Sequence, residues 1–222
     1  MIICYSKNFI IPHLQKTGGT TIMQSLLPYL KPYDLAMYDW KKMYFNMEGH
    51  ELSEHARLST IKEYVGDSWY DFKKFTTVRN PISIVKSSYS YSKEVYEEHF
   101  RNKLDIPPDG SLKAFVYSEK TGYGPDGFVD FMLARNYDIV LPQAERLSLM
   151  LRDGLIMDLS TLSRDWDYIT DWLGWDRKIP LLWENKSKSS AVEFSDDTVK
   201  RIKKHFEIDY DIIPKITGVE WN

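Results

Sequence analysis

The stretch Leu14-Gln15-Lys16-Thr17-Gly18-Gly19-Thr20-Thr21 constrains this chain more than any other. Before it, Asn8 to Leu14 is apolar and β-branched enough for a buried strand, although Pro12 lacks a ladder donor and is awkward in a central one. After it, Ile22, Met23, Leu26, Leu27 and Leu30 recur at helical spacing, with Thr20 or Thr21 as cap and an end near Pro32. A glycine pair lets backbone approach an anion closely, and the N–H groups and dipole of a helix start favour negative charge there. Lys16 adds a point charge and three threonine hydroxyls add donors. The order is not that of a Walker A loop, because the lysine precedes the glycines. An ordinary strand–turn–helix with two glycines fits the same residues.

A second segment has related chemistry. Lys74 to Val78 reads as a strand running into Arg79-Asn80-Pro81, after which Ile82 to about His99 is helical, with proline suitably placed in the first turn. An arginine at the carboxyl end of a parallel strand stands where open α/β sheets bind ligands, and its planar fork suits a terminal phosphate. Ser87, two turns into the helix, can face the same crevice. A helix-capping arginine with a solvated serine is the alternative.

Elsewhere, Ser53 to Val65 reads as a helix closed by Gly66, Gly122 to Gly127 as a flexible loop, and Leu155 to Leu159 as a short strand. Ser163 to Leu173 reads as a helix stopped by Gly174, and Lys186 to Ser190 as an exposed basic loop. Ser195 caps a last helix with Val199, Ile202 and Phe206 on one face. Strands alternating with helices predict an α/β fold with a central parallel β-sheet flanked by helices, as one domain over residues 1–222.

Composition narrows the function classes. Charged residues are 27% of the 222 and hydrophobic ones 43%, a balance that excludes wholesale disorder. A net charge of −3 argues against a general nucleic-acid binder or a polybasic membrane protein, so any anion site must come from local placement. Cys4 is the only cysteine, which excludes an intrachain disulfide and a cysteine-based zinc site. Phe9-Ile10-Ile11 is far shorter than the about 20 residues a membrane span needs, and no signal-peptide pattern opens the chain. A soluble, cytoplasmic protein is the expectation.

Taken together, the two segments resemble the PAPS-dependent sulfotransferase family, in its carbohydrate-type branch related to the heparan sulfate 2-O-sulfotransferases and bacterial relatives. That family reads His-Ile-Pro-Lys-Thr-Gly-Gly-Thr-Ser at its 5′-phosphosulfate loop, where this chain has His13 to Thr21. It reads Phe-x-x-Val-Arg-Asn-Pro, then Ser and Tyr, at its 3′-phosphate site; here these are Phe75, Val78, Arg79, Asn80, Pro81, Ser87 and Tyr89. Likenesses also occur at His55-Ala56, Pro142-Gln143, Asp165-Trp166, Asn185-Lys186-Ser187 and Asp209-Tyr210. Gln15 replaces the usual proline, Ile84 stands where an arginine is common, and residues 33–52 match nothing recognisable, which suits part of an acceptor pocket.

The resemblance implies a P-loop-NTPase-like sheet and transfer of a sulfonate from 3′-phosphoadenosine 5′-phosphosulfate (PAPS) to a hydroxyl, less often an amine, releasing adenosine 3′,5′-bisphosphate (PAP). Lys16 then neutralises charge on the bridging oxygen, and the backbone of Thr17, Gly18, Gly19, Thr20 and Thr21 holds the 5′-phosphate. Arg79 and Ser87 hold the 3′-phosphate, with Lys186, Ser187 and Lys188 as a basic lid. The scheme needs no metal, and no metal-ligand cluster is evident along the chain.

A hydroxyl acceptor needs a general base, for which histidine is the natural candidate near neutral pH. His55 occupies the position resembling the family's catalytic histidine, with Glu51, Glu54 and His50 in reserve and a helix-capping or structural role as the alternative. His13 reads as structural, His99 as solvated and His205 as partly buried surface. The acceptor expected is a small-molecule natural product or a sugar rather than a long polyanion or a nucleic acid. Two other readings remain: a catalytically inactive adenosine-bisphosphate-binding module, and a nucleotide kinase or NTPase, which Mg²⁺-dependent ATP turnover would reveal.

Overall fold

The computed structural model describes residues 1–37, 44–45, 51–101, 124–134, 138–182 and 192–221. These divide into two compact units: Met1–Arg79 with Gln143–Asn185 and Ile212–Asn222, and Asn80–Pro142 with Lys186–Asp211.

The first unit is α/β, built on a five-stranded sheet. Its strands are β1 (Ile2–Cys4), β2 (Phe9–Ile11), β3 (Leu35–Ala36), β6 (Lys73–Val78) and β7 (Leu155–Asp158), in the order β3-β1-β2-β6-β7. Between β3 and β6 in sequence, β4 (Tyr44–Phe45) and β5 (Glu51–Leu52) form a separate antiparallel pair. The sheet is mixed rather than wholly parallel. Strands β2, β6 and β7 are parallel, whereas β1 pairs antiparallel with both β2 and β3. The four residues from Tyr5 to Asn8 are too few for a crossover, so the β1–β2 connection must be a hairpin. Asn8 takes the positive φ of 54° that this turn requires, a conformation asparagine tolerates.

Side-chain alternation then assigns the faces. Ile2, Cys4, Phe9, Ile11 and Phe75 pack with Ile22, Met23 and Leu26 of α1 (Gly19–Leu26) and with Leu162, Trp166 and Ile169 of α6 (Leu162–Trp172). From the intervening positions, Lys74 carries its ammonium over the Trp69 ring, 4.9 Å from the centroid, and onto Asp153 at 2.8 Å. Trp69 follows α2 (Leu58–Val65), which Gly66 ends with φ 60°. Helix α6 stops at Gly174, whose φ of 92° permits the turn in which Trp175 N–H returns to Thr170 O.

In the second unit, α3 (Pro81–Arg101), α4 (Gly124–Leu133) and α7 (Asp196–His205) close over Val85, Tyr89, Phe128, Val129, Met132, Ile202 and Phe206. Ser195 caps α7 as expected, accepting from Thr198 N–H. The glycine-rich run read as a loop instead starts α4 at Gly124. Positive φ at Gly124 and proline next to it open the helix, and burial of Phe128, Val129 and Met132 outweighs the poor propensity of Gly127. The α5 turn (Gln143–Arg146) belongs to the first unit, and α8 (Glu207–Thr217) follows α7 directly, so α7 is not the last helix.

Two helix starts also shift. Helix α1 is capped by Gly18 rather than by Thr20 or Thr21, and α2 begins at Leu58 rather than Ser53. The residues before α2 form a turn closed by Ala56 N–H on Ser53 O at 3.2 Å, and His55 sits in it. No helix among the described residues is long and apolar enough to cross a membrane.

Candidate functional site

The site begins at the carboxyl ends of two neighbouring parallel strands. From β2 the chain runs through His13 to Gly18 into α1; from β6 it runs into Arg79. The intervening loop is strongly shaped. Lys16 and Gly18 both have left-handed backbone, at φ 62° and 88°, on either side of Thr17. Alternating handedness of this kind turns successive N–H groups toward one concavity, and the first N–H groups of a helix have no carbonyl partner within it. The loop is thus suited to an anion by its backbone.

Its side chains divide the work differently from the sequence expectation. Thr17 is buried and its hydroxyl donates to Leu14 O at 2.9 Å, so it braces the loop rather than offering a donor outward. Thr77 of β6 donates to Thr17 O at 2.6 Å and Thr76 to Pro12 O at 3.2 Å, fastening the loop to the neighbouring strand. Thr21 is buried and Thr20 half-buried. The glycines are explained by close packing. A Cβ on Gly18 would lie 2.4 Å from Leu159 Cδ1, and one on Gly19 would lie 2.0 Å from His13 Cδ2.

At the end of β6, Arg79 meets the loop. Its Nη1 donates to Lys16 O at 3.3 Å, and burial pulls its pKa down while the Asp158 charge pushes it up, with the net shift downward. The backbone of Arg79 is held by the buried Gln143 side chain, which accepts from Arg79 N–H at 3.0 Å and donates to Arg79 O at 2.8 Å. That two-way clamp continues strand pairing by one residue beyond β6. Asp158, at the end of β7, is fully engaged: Oδ1 accepts from the Ser160 N–H and hydroxyl, and Oδ2 from Trp221 Nε1 at 2.6 Å.

Two histidines meet at the start of the loop. His55 Nδ1 lies 3.0 Å from the His13 carbonyl, and the two imidazoles are 4.5 Å apart between centroids. His13 Nδ1 is 3.0 Å from Glu54 Oε1. Burial drives the His13 pKa down to about 4 against the upward pull of Glu54. Burial likewise lowers that of His55, against its bond to the His13 carbonyl. Burial raises the Glu54 pKa, but the two histidines outweigh it and the net shift is downward. Near neutrality these shifts describe two neutral imidazoles beside a carboxylate.

Lys16, Thr17, Gly18, Gly19, Thr20, Thr21, Arg79 and His55 are therefore gathered in one unit, with the His13 to Gly18 loop touching both Arg79 and His55. Ser87 lies in the second unit, buried on α3, where neighbouring Ser88 and Ser90 turn their hydroxyls back onto helix carbonyls. Ile84 is buried on the same helix. In that unit Asn80 caps α3 through Ile82 N–H, and Tyr210 donates to Asn80 Oδ1. His205 Nε2 meets Val140 O at 2.7 Å, a fixed structural contact. Lys186, Ser187, Lys188 and His50 lie outside the described residues, and Glu51 is described only as backbone.

Sequence reasoning missed two partnerships. Gln143 carried a visible signal in the Pro142-Gln143 likeness but no role, and Glu54 was read only as a reserve base. Nothing in the spacing tied His13 to Glu54, forty-one positions away. Against family models, curated proteins and solved structures, the chain has no match.

Proposed function

We propose that this chain is a sulfotransferase, moving a sulfonate from PAPS to a hydroxyl of a small natural product or sugar. The observation that carries the reading is the shared loop: Arg79 reaches Lys16 O at 3.3 Å, and His55 reaches His13 O at 3.0 Å. One six-residue turn thereby links a guanidinium fork, a lysine, a backbone anion cradle and a neutral imidazole. These groups match what sulfonate transfer requires, alongside the motif resemblance. On this reading the sheet is P-loop-NTPase-like, with the loop after β2 as its phosphate loop.

PAPS supplies an activated sulfonate, whose sulfur–oxygen bond to the 5′-phosphate breaks as a new one forms to the acceptor. The protein groups would act as follows. The N–H groups from Thr17 to Thr21 hold the 5′-phosphate, and Lys16 balances charge gathering on the departing oxygen. Arg79, whose planar fork pairs with phosphate oxygens, takes the 3′-phosphate. With Nδ1 donating to the His13 carbonyl, His55 keeps its lone pair on Nε2 and can accept the acceptor's hydroxyl proton. Burial lowers the His55 pKa and so keeps that accepting nitrogen unprotonated at neutral pH.

A nucleotide kinase reading finds less support, because the strand-end carboxylate of Asp158 already serves Ser160 and Trp221. The deciding experiment incubates the protein with ³⁵S-labelled PAPS and a panel of hydroxylated metabolites and sugars. Transfer of label, cut about 10²–10⁴-fold in His55→Ala, is the expected result. Binding of PAP without transfer to any acceptor would favour the inactive module, and absence of PAP binding would overturn both.

A further inference from the structure

His13, Glu54 and His55 form a cluster that the proposed transfer uses only in part. One ligand-type atom from each lies within 4.8 Å of the others. The three come from two separate segments, the loop after β2 and the turn before α2. His13 is 92% buried, since only 8% of its surface is exposed, and its Nδ1 is wholly enclosed. That nitrogen is 3.0 Å from Glu54 Oε1. A buried ring nitrogen and a carboxylate oxygen this close can serve as two donors to a common third atom.

We propose that His13, Glu54 and His55 bind one divalent transition-metal ion of the zinc type, through two imidazole nitrogens and one carboxylate oxygen. Two histidines and a glutamate with a fourth position open are a recurrent zinc donor set. Bonds of about 2.0–2.2 Å put the donors of a tetrahedral site roughly 3.3 Å apart, close to the His13–Glu54 separation, and binding draws the more widely spaced atoms of the cluster, up to 4.8 Å apart, to that distance. The His55 contact has the complementary form: imidazoles that ligate metals hand their other ring N–H to a carbonyl or carboxylate, and Nδ1 of His55 meets the His13 carbonyl. His13 has little freedom to swing away, because its ring edge packs on the Gly19 backbone. Nitrogen donors select against Mg²⁺ and Ca²⁺, which prefer oxygen.

An ion held there takes the His55 lone pair, so it blocks the base and inhibits transfer. That consequence rests on the proposed function; the binding does not.

The test uses the whole chain, treated with EDTA, dialysed and titrated with ZnCl₂ by calorimetry. One Zn²⁺ per chain is expected, with a rise in Tm and no response to MgCl₂. Affinity should fall at least about tenfold in Glu54→Gln and in His55→Asn, both checked for native circular dichroism. X-ray absorption at the zinc edge should show two imidazoles in the first shell. No stoichiometric binding, equal binding in both variants, or a zinc shell without imidazole would overturn the proposal. Since none of these readouts is turnover, a protein that binds zinc but never moves sulfonate sinks the function alone, and the reverse result sinks the site alone.

Discussion

The imidazole of His13 fills the space into which a side chain on Gly19 would project, leaving only 2.0 Å between its Cδ2 and an ideal Cβ there. The second glycine of the loop is thus needed by a histidine six residues earlier, quite apart from any anion. Through His13 the same packing reaches Glu54 and His55.

Gly19→Ala should accordingly destabilise the protein by about 1–3 kcal/mol, the usual range for overpacking an enclosed site. In urea denaturation the double variant with His13→Ala should lose less than the sum of the singles, because removing the ring removes the clash. Strict additivity would show that the two positions do not share this space.

Lys16 has left-handed backbone at φ 62°, an unfavourable conformation for a residue with a Cβ. Lys16→Gly should relieve that strain while adding chain entropy to the unfolded state, leaving stability within about 1 kcal/mol of the parent. Sulfonate transfer should nonetheless vanish, as it should in Lys16→Ala. Near-normal transfer in either variant would remove Lys16 from the chemistry.

The proposed function has Arg79 bind the 3′-phosphate. Calorimetry should find adenosine 3′,5′-bisphosphate bound at least about tenfold more tightly than adenosine 5′-phosphate, a difference of roughly 1.4 kcal/mol. Arg79→Lys should narrow that ratio, since an ammonium cannot bind bidentately. Equal affinity of the parent for both nucleotides would contradict a 3′-phosphate site.

Gln143 acts through Arg79. Gln143→Glu keeps the shape but removes the donor to Arg79 O, and should cost about 1–3 kcal/mol for the buried group left unmatched. Affinity for adenosine 3′,5′-bisphosphate should fall with it. A stable variant with unchanged affinity would make the clamp irrelevant to the site.

Cys4 offers a pH test. Burial, with Asp34 adding to it against the Ser6 hydrogen bond, pushes its thiol pKa from 9.0 up to about 11. The folded protein therefore holds the proton between about pH 9 and 11 while the unfolded chain releases it, so this group's contribution to stability falls as pH rises through that window. Thiol labelling at pH 9 should be slow in the native protein and fast in urea; equal rates would contradict the burial.

Much of the fold was legible because its signals are local. The strand signals in Asn8 to Leu14, Lys74 to Val78 and Leu155 to Leu159 and the stops at Gly66 and Gly174 are written in adjacent residues. The antiparallel β1 escaped notice because Ile2–Cys4 is three residues long and gains its meaning only by pairing with β2. The first turn of α4 reads as a loop in the sequence because tertiary burial of the helix's apolar side chains overrides a glycine-rich start.

The candidate site divides along the same line. Sequence alone determined the chemistry available: a lysine–glycine turn between strand and helix, an arginine at the end of the next strand, and a histidine placed between them. Those are properties of neighbouring residues and of chain order. Only the tertiary structure decided which groups share a volume, turning the Thr17 hydroxyl inward, seating His13 against Gly19 and Glu54, and fastening Arg79 to both Gln143 and Lys16. Contacts between residues tens of positions apart depend on how densely packed elements fit, and close packing is a property of the assembled core rather than of any segment of chain.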